Sequence, residues 1–80
     1  MIGTNPMHRY SYKIVQCNEQ QPDTHLGVRL GRRCIAGGIP VTEISKRLNV
    51  TRQTIYNWFC GVTAPRRPEH IAGIEEFLAS

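Results

Sequence analysis

Residues 41–61, VTEISKRLNVTRQTIYNWFCG, decide the fold. Apolar side chains fall at Ile44, Leu48, Val50, Ile55 and Trp58. Ile44 and Leu48 stand at i and i+4, and Ile55 and Trp58 at i and i+3, so each pair lies on one helical face. Asn49 falls where the chain must bend sharply, and asparagine tolerates a left-handed backbone better than most residues. Thr51 then offers a hydroxyl as N-cap. The pattern is that of two short helices joined by a tight turn, a helix-turn-helix. The second helix, about 52–60, turns Arg52, Gln53, Tyr56 and Asn57 outward.

On the N-terminal side, Pro22-Asp23-Thr24 signals another helix start, with Asp23 or Thr24 expected as the cap. Leu26, Leu30 and Cys34 repeat at i, i+4, i+8 and predict a buried stripe on a helix running to about residue 36. Arg29, Arg32 and Arg33 lie off that stripe. Gly37-Gly38 ends the helix, and Pro40 sets the start of the next. On the C-terminal side, Gly61 stops the recognition helix. A loop holding Pro65, Arg66 and Arg67 follows. Pro68 suits the first turn of a further helix, where Glu69 is favourable near the positive end of the dipole. Ile71, Ile74 and Leu78 should close the core, with Phe77 beside that stripe, partly exposed and available to a subunit contact.

The predicted fold is therefore all-α, a compact four-helix domain over 24–80, preceded by an arm over 1–23. Gly3, Asn5 and Pro6 discourage regular structure at the start of the arm. Residues 10–15, YSYKIV, are rich in β-formers and are read as a short strand or as part of a tail packing Tyr10 or Tyr12 on the domain. A lone strand has an unpaired edge, so residues 8–15 are also a candidate site for a protein partner.

Eighty residues with a net charge of +4 fit one small domain. The charge is unevenly placed. Between residues 26 and 67, Arg29, Arg32, Arg33, Lys46, Arg47, Arg52, Arg66 and Arg67 face a single carboxylate, Glu43. A basic excess centred on a helix-turn-helix points to a polyanion, and to double-stranded DNA first. Cys17, Cys34 and Cys60 are widely spaced and odd in number, which gives neither a disulfide framework nor a metal cluster. His8, His25 and His70 fall at no ligand or triad spacing with a cysteine or carboxylate. No catalytic residue, metal or cofactor is expected. With no membrane-length apolar run and no signal-peptide pattern, a soluble cytoplasmic protein is expected.

The stretches LGVRLGRR, GIPVTEISKRLNVTRQTIYNW and GVTAPRRPEHIAGIEEFL resemble the lambdoid-phage repressor and Cro (Xre-like) family of helix-turn-helix proteins. The resemblance covers about two thirds of the chain. Ser45 and Asn49 stand where relatives usually have Ala and Gly. Many relatives pair an Arg late in the first helix with a Glu late in the recognition helix. Cys34 and Phe59 occupy those positions here. Removing one partner of a buried pair costs ~3–5 kcal/mol, whereas an apolar exchange of both is often neutral. Cys34 and Phe59 are therefore expected to pack together.

The resemblance implies base contacts from Arg52, Gln53 and Asn57. Arg52 matches the O6/N7 edge of guanine, with a phosphate as its alternative. Gln53 and Asn57 match the N6/N7 edge of adenine. Tyr56 has three readings: a phosphate contact, a thymine methyl contact, or a shield for the core. Thr42 and Thr51, at helix N-termini, and Arg66 and Arg67, in the loop, are the backbone-contacting candidates. Arg32 and Arg33 are weaker ones, and Lys46 and Arg47 belong to the solvent face. The resulting expectation is a sequence-specific repressor or Cro-like regulator of phage or mobile-element type. It would act as a homodimer and repress sterically, with no ligand-sensing domain. The alternatives are a protein-interaction module working through the arm, such as an antitoxin or an inhibitor of a host protein, and the DNA-recognition part of a phage packaging or replication complex.

Overall fold

The computed structural model describes residues 10–80. Five helices follow in order: α1 (Tyr12–Glu19), α2 (Leu26–Gly37), α3 (Val41–Leu48), α4 (Arg52–Phe59) and α5 (Pro68–Ala79). There is no strand among the described residues. α4 lies at the centre, packed against α1, α2 and α3, while α5 closes the far side against α2 and α3.

Residues 10–15 are the main departure from expectation, because they form no strand. Ser11 caps α1, its hydroxyl accepting from the Ile14 amide at 3.2 Å. The β preference of Tyr, Ile and Val yields to packing. A helix puts Ile14, Val15 and Asn18 on one face, where the two apolar side chains meet the core and Asn18 is buried. No strand edge is left at 12–15 for a partner to extend. The helix count is five rather than four. Residues 1–9, with His8 and Arg9, lie outside the described residues.

Asn18 ties this first helix to the rest. Its Nδ2 donates to the carbonyl of Val28 at 3.1 Å and to that of Phe59 at 2.9 Å. Tyr10 adds a second tie: its ring lies 5.7 Å from that of Phe59, and its hydroxyl donates to the Ile39 carbonyl.

The cap of α2 falls one residue after Thr24 and two after Asp23, the caps expected from sequence. The cap is His25, whose Nδ1 accepts from the amides of Gly27 (3.1 Å) and Val28 (3.3 Å). This places the ring hydrogen on Nε2. Leu30 and Cys34 are fully buried, as is Val28, and Leu26 packs against their cluster. Gly38, at φ 66°, ends the helix in the left-handed conformation, and the Ile39 amide returns to the Cys34 carbonyl at 2.9 Å.

Cys34 and Phe59 lie in the same core cluster, both fully buried. Tyr10 bridges them, its ring tilted against Phe59 and its hydroxyl beside the Cys34 thiol. Burial pushes that thiol from 9.0 up to about 12, against the nearby Tyr10 hydroxyl, with Glu43 raising it further and Arg33 lowering it. The folded chain therefore holds this proton where the unfolded chain releases it. Stability from this group is intact below pH 9 and falls as pH rises from there towards 12, by roughly 1.4 kcal/mol per pH unit. Urea titrations at stepped alkaline pH should show a slope about one proton smaller for Cys34→Val than for the unchanged chain.

α5 starts with Pro68 and buries Ile74 and Phe77. Phe77, expected to be partly exposed, is 8% exposed. The helix faces inward through Ile74, Phe77 and Leu78, at i, i+3, i+4, so Phe77 sits within the buried stripe. The guanidinium groups of Arg47 and Arg33 lie 5.3 and 5.9 Å from its ring centroid. Arg47 thus covers the edge of the core as well as facing solvent.

Candidate nucleic-acid interface

The turn between α3 and α4 is built as the sequence suggests, with one addition. Asn49 adopts φ 57°, ψ 50°. Ser45 donates its hydroxyl to the Val50 carbonyl at 2.7 Å, and the Val50 amide donates to the Ser45 carbonyl at 3.2 Å. A single small side chain thereby clips the turn shut, which an alanine at this place does not do. Thr51 caps α4 by accepting from the Thr54 amide at 3.2 Å, and the two threonine hydroxyls are 2.9 Å apart.

α4 divides cleanly. Ile55, Trp58 and Phe59 are buried. Arg52 and Gln53 are exposed, and Tyr56 and Asn57 are half-buried. The Gln53 amide donates to Asn57 Oδ1 at 3.1 Å, an i,i+4 link that holds two recognition candidates together. Tyr56 meets the Phe59 ring edge-on, with centroids 6.4 Å apart, so its ring rests on the core.

The flanks hold the remaining candidates. Thr51, Thr54 and Arg67 line one cleft with Asn49 and His70. Arg66 and Arg67 are both exposed. Arg67 lies 3.7 Å from Glu69, an exposed pair that contributes little to stability and leaves the guanidinium accessible. Thr42 is exposed in the first turn of α3, behind Pro40, which offers no side-chain cap. No side-chain hydrogen bond or ion pair among the described residues ties Thr42 or Arg66 to the α4 group.

The earlier phosphate candidates on α2 have other work. Arg32 donates to the carbonyls of Asn18 (3.3 Å) and Glu19 (3.5 Å) and also to that of Gln21, capping the end of α1. Arg33 donates to the carbonyls of Leu78 (3.2 Å) and Ser80 (2.8 Å), capping α5. Both serve the negative ends of helices. Their tasks depend on contacts far along the chain, which no local pattern announces.

His70 carries no signal in its sequence spacing. Its ring lies 5.6 Å from Trp58, so it seats the start of α5, and with it the Arg67 end of the loop, against α4. The loop itself is hung from α4: the Val62 amide donates to the Asn57 carbonyl at 2.9 Å.

Among the described residues no group of His, Cys, Asp or Glu is placed to hold a metal ion. No helix among them is long and apolar enough to cross a membrane.

Residues 28–69, from α2 into α5, match a family described as the homeodomain-like domain. The match supports a helix-turn-helix family in general, and not the phage repressor and Cro group in particular. No curated protein and no solved structure matches the chain.

Proposed function

Since the chain belongs to the homeodomain-like helix-turn-helix family, we propose that it is a sequence-specific DNA-binding transcriptional regulator that lays α4 in the major groove. One observation carries the reading: α4 buries Ile55, Trp58 and Phe59 while Arg52 and Gln53 stand exposed in its first turn and half-buried Asn57 is linked to Gln53 one turn on. Those side chains are the types that read base edges, and the helix beneath them is fixed by the core.

In this reading Arg52 takes a guanine edge, and Gln53 and Asn57, already linked, take an adenine edge or its neighbour. Thr51, Thr42, Tyr56, Arg66 and Arg67 grip phosphates and set the register. The protein works as a repressor or Cro-like regulator in the cytoplasm. It binds as a homodimer on a palindromic site whose half-sites lie about 34 Å apart. The domain over 24–80 carries the binding, and the arm over 1–23, through α1, braces the back of α4.

Substitutions separate the two kinds of contact. Arg52→Ala or Gln53→Ala should relax preference at one base position, by roughly 1–3 kcal/mol per good bidentate contact. Arg66→Ala or Arg67→Ala should weaken all duplexes alike and reduce the dependence on salt by about one counterion each. Fluorescence anisotropy across a salt series reads both. Loss of affinity at Arg52 with no change in base preference assigns that residue to a phosphate instead.

A further inference from the structure

Two thiols outside the recognition surface meet across the contact between α1 and α4. Cys17 belongs to α1, and Cys60 is the C-cap residue of α4. Cys17 Sγ lies 4.0 Å from the Cys60 carbonyl oxygen, and the two thiols are within hydrogen-bonding reach of each other. Both residues are only half-buried. Their approach is held by the neighbouring residues. Asn18, next to Cys17, is bound to the carbonyl of Phe59, next to Cys60, at 2.9 Å. The side chain of Gln21 lies against Gly61 on the other side.

We propose that Cys17 and Cys60 are a dithiol pair that a small-molecule disulfide, such as oxidised glutathione, converts into an intramolecular disulfide joining α1 to the end of α4. Cys17 reacts first. It loses its proton, its sulfur attacks one sulfur of the oxidant, and the S–S bond breaks to release one glutathione as thiolate, which takes up a proton. The Cys60 sulfur, losing its own proton, then attacks the Cys17 sulfur of the mixed disulfide and expels the second glutathione as thiol. Two protein thiols are oxidised and one disulfide is reduced to two thiols. The order follows from the surroundings: burial, and then the hydrogen bond and charge of Cys17, push the Cys60 thiol up, making it the poorer first nucleophile. Cys34 takes no part, being fully enclosed in the core.

The bond joins residues 43 apart in sequence, so it closes a long loop and constrains the unfolded chain. Arg52 and Gln53 lie at the other end of α4 from Cys60, while Asn57 stands one turn before it.

The test uses the full chain, reduced and then incubated with oxidised glutathione. Intact mass should fall by two hydrogens, peptide mapping should place the link between residues 17 and 60, and denaturing alkylation should label Cys34 alone. The oxidised chain should melt at a higher temperature than the reduced one. Cys17→Ser should form no internal link. A lasting glutathione adduct, a link through Cys34, a link between two chains, an unreacted protein or a lower melting temperature would each overturn the proposal.

Discussion

Gly31→Ala is expected to lower stability by about 2–3 kcal/mol, although alanine is the better helix former. In an open helix the exchange would gain up to about 1 kcal/mol. Here α2 crosses α4 with no room for a methyl group. A Cβ on Gly31 would lie 2.6 Å from Asn18 Nδ2 and 2.8 Å from Phe59 Cγ. Neither neighbour yields easily. Asn18 is held by two carbonyls and is 1% exposed, and Phe59 is fully enclosed. To admit the methyl, either the amide breaks its bonds or the two helices move apart. Small domains carry about 5–15 kcal/mol in all, so the loss is a large share. Gly37→Ala is the matched control. Its Cβ would meet only the Ile39 side chain, at 3.4 Å or more, and the variant should be neutral or slightly more stable. Urea denaturation followed by Trp58 fluorescence compares the two. Equal effects would mean the α2–α4 crossing is looser than described.

Asn18→Asp should cost about 3 kcal/mol or more at neutral pH, and acidification should recover part of it. The exchange is nearly isosteric, so packing is kept and only chemistry changes. The amide nitrogen donates to Val28 and Phe59 at once. A carboxylate in its place turns a negative oxygen towards two carbonyl oxygens in a buried site. Burial and those oxygens raise the carboxyl's affinity for a proton above its unfolded value of ~3.9. The penalty is therefore small well below that pH and grows as pH rises. A protonated carboxyl donates to only one of the two carbonyls, so recovery stays incomplete. Chemical denaturation at stepped pH, with the unchanged chain as reference, reads the difference. A variant as stable as the parent at neutral pH would show that Asn18 does not hold α1 to α4.

The same residue explains what was legible in the sequence and what was not. Helices α2 to α5 were read from short-range signals: the Leu26, Leu30, Cys34 spacing, the left-handed Gly38 and Asn49, the Thr51 cap and Pro68. Those signals act within a turn or two of the chain, where sequence and structure are closely coupled. The first helix depends on partners far along it. Asn18 reaches Phe59, and Tyr10 reaches Ile39 and Phe59. Read locally, YSYKIV is a strand, and only the α2–α4 groove makes it a helix. Phe77 falls beside the expected stripe of Ile71, Ile74 and Leu78, yet the inward face of α5 takes it in between Ile74 and Leu78, with Arg33 and Arg47 near its ring. On α4 the exposure of Arg52 and Gln53 was legible, because an outward helical face follows from where the apolar residues fall. The linking of Gln53 to Asn57 and the Ser45 clip on the turn depend on rotamers, which spacing alone does not give.

The claim that α4 reads base sequence is tested most directly by selection from a pool of random DNA duplexes, using the full chain at moderate salt. The recovered duplexes should share one short motif, arranged as two half-sites about one helical turn apart. The Gln53→Ala chain should recover the same motif with one position relaxed. Recovery of duplexes indistinguishable from the starting pool, with equal affinity for all of them, would contradict the reading and leave the basic surface as a sequence-blind binder.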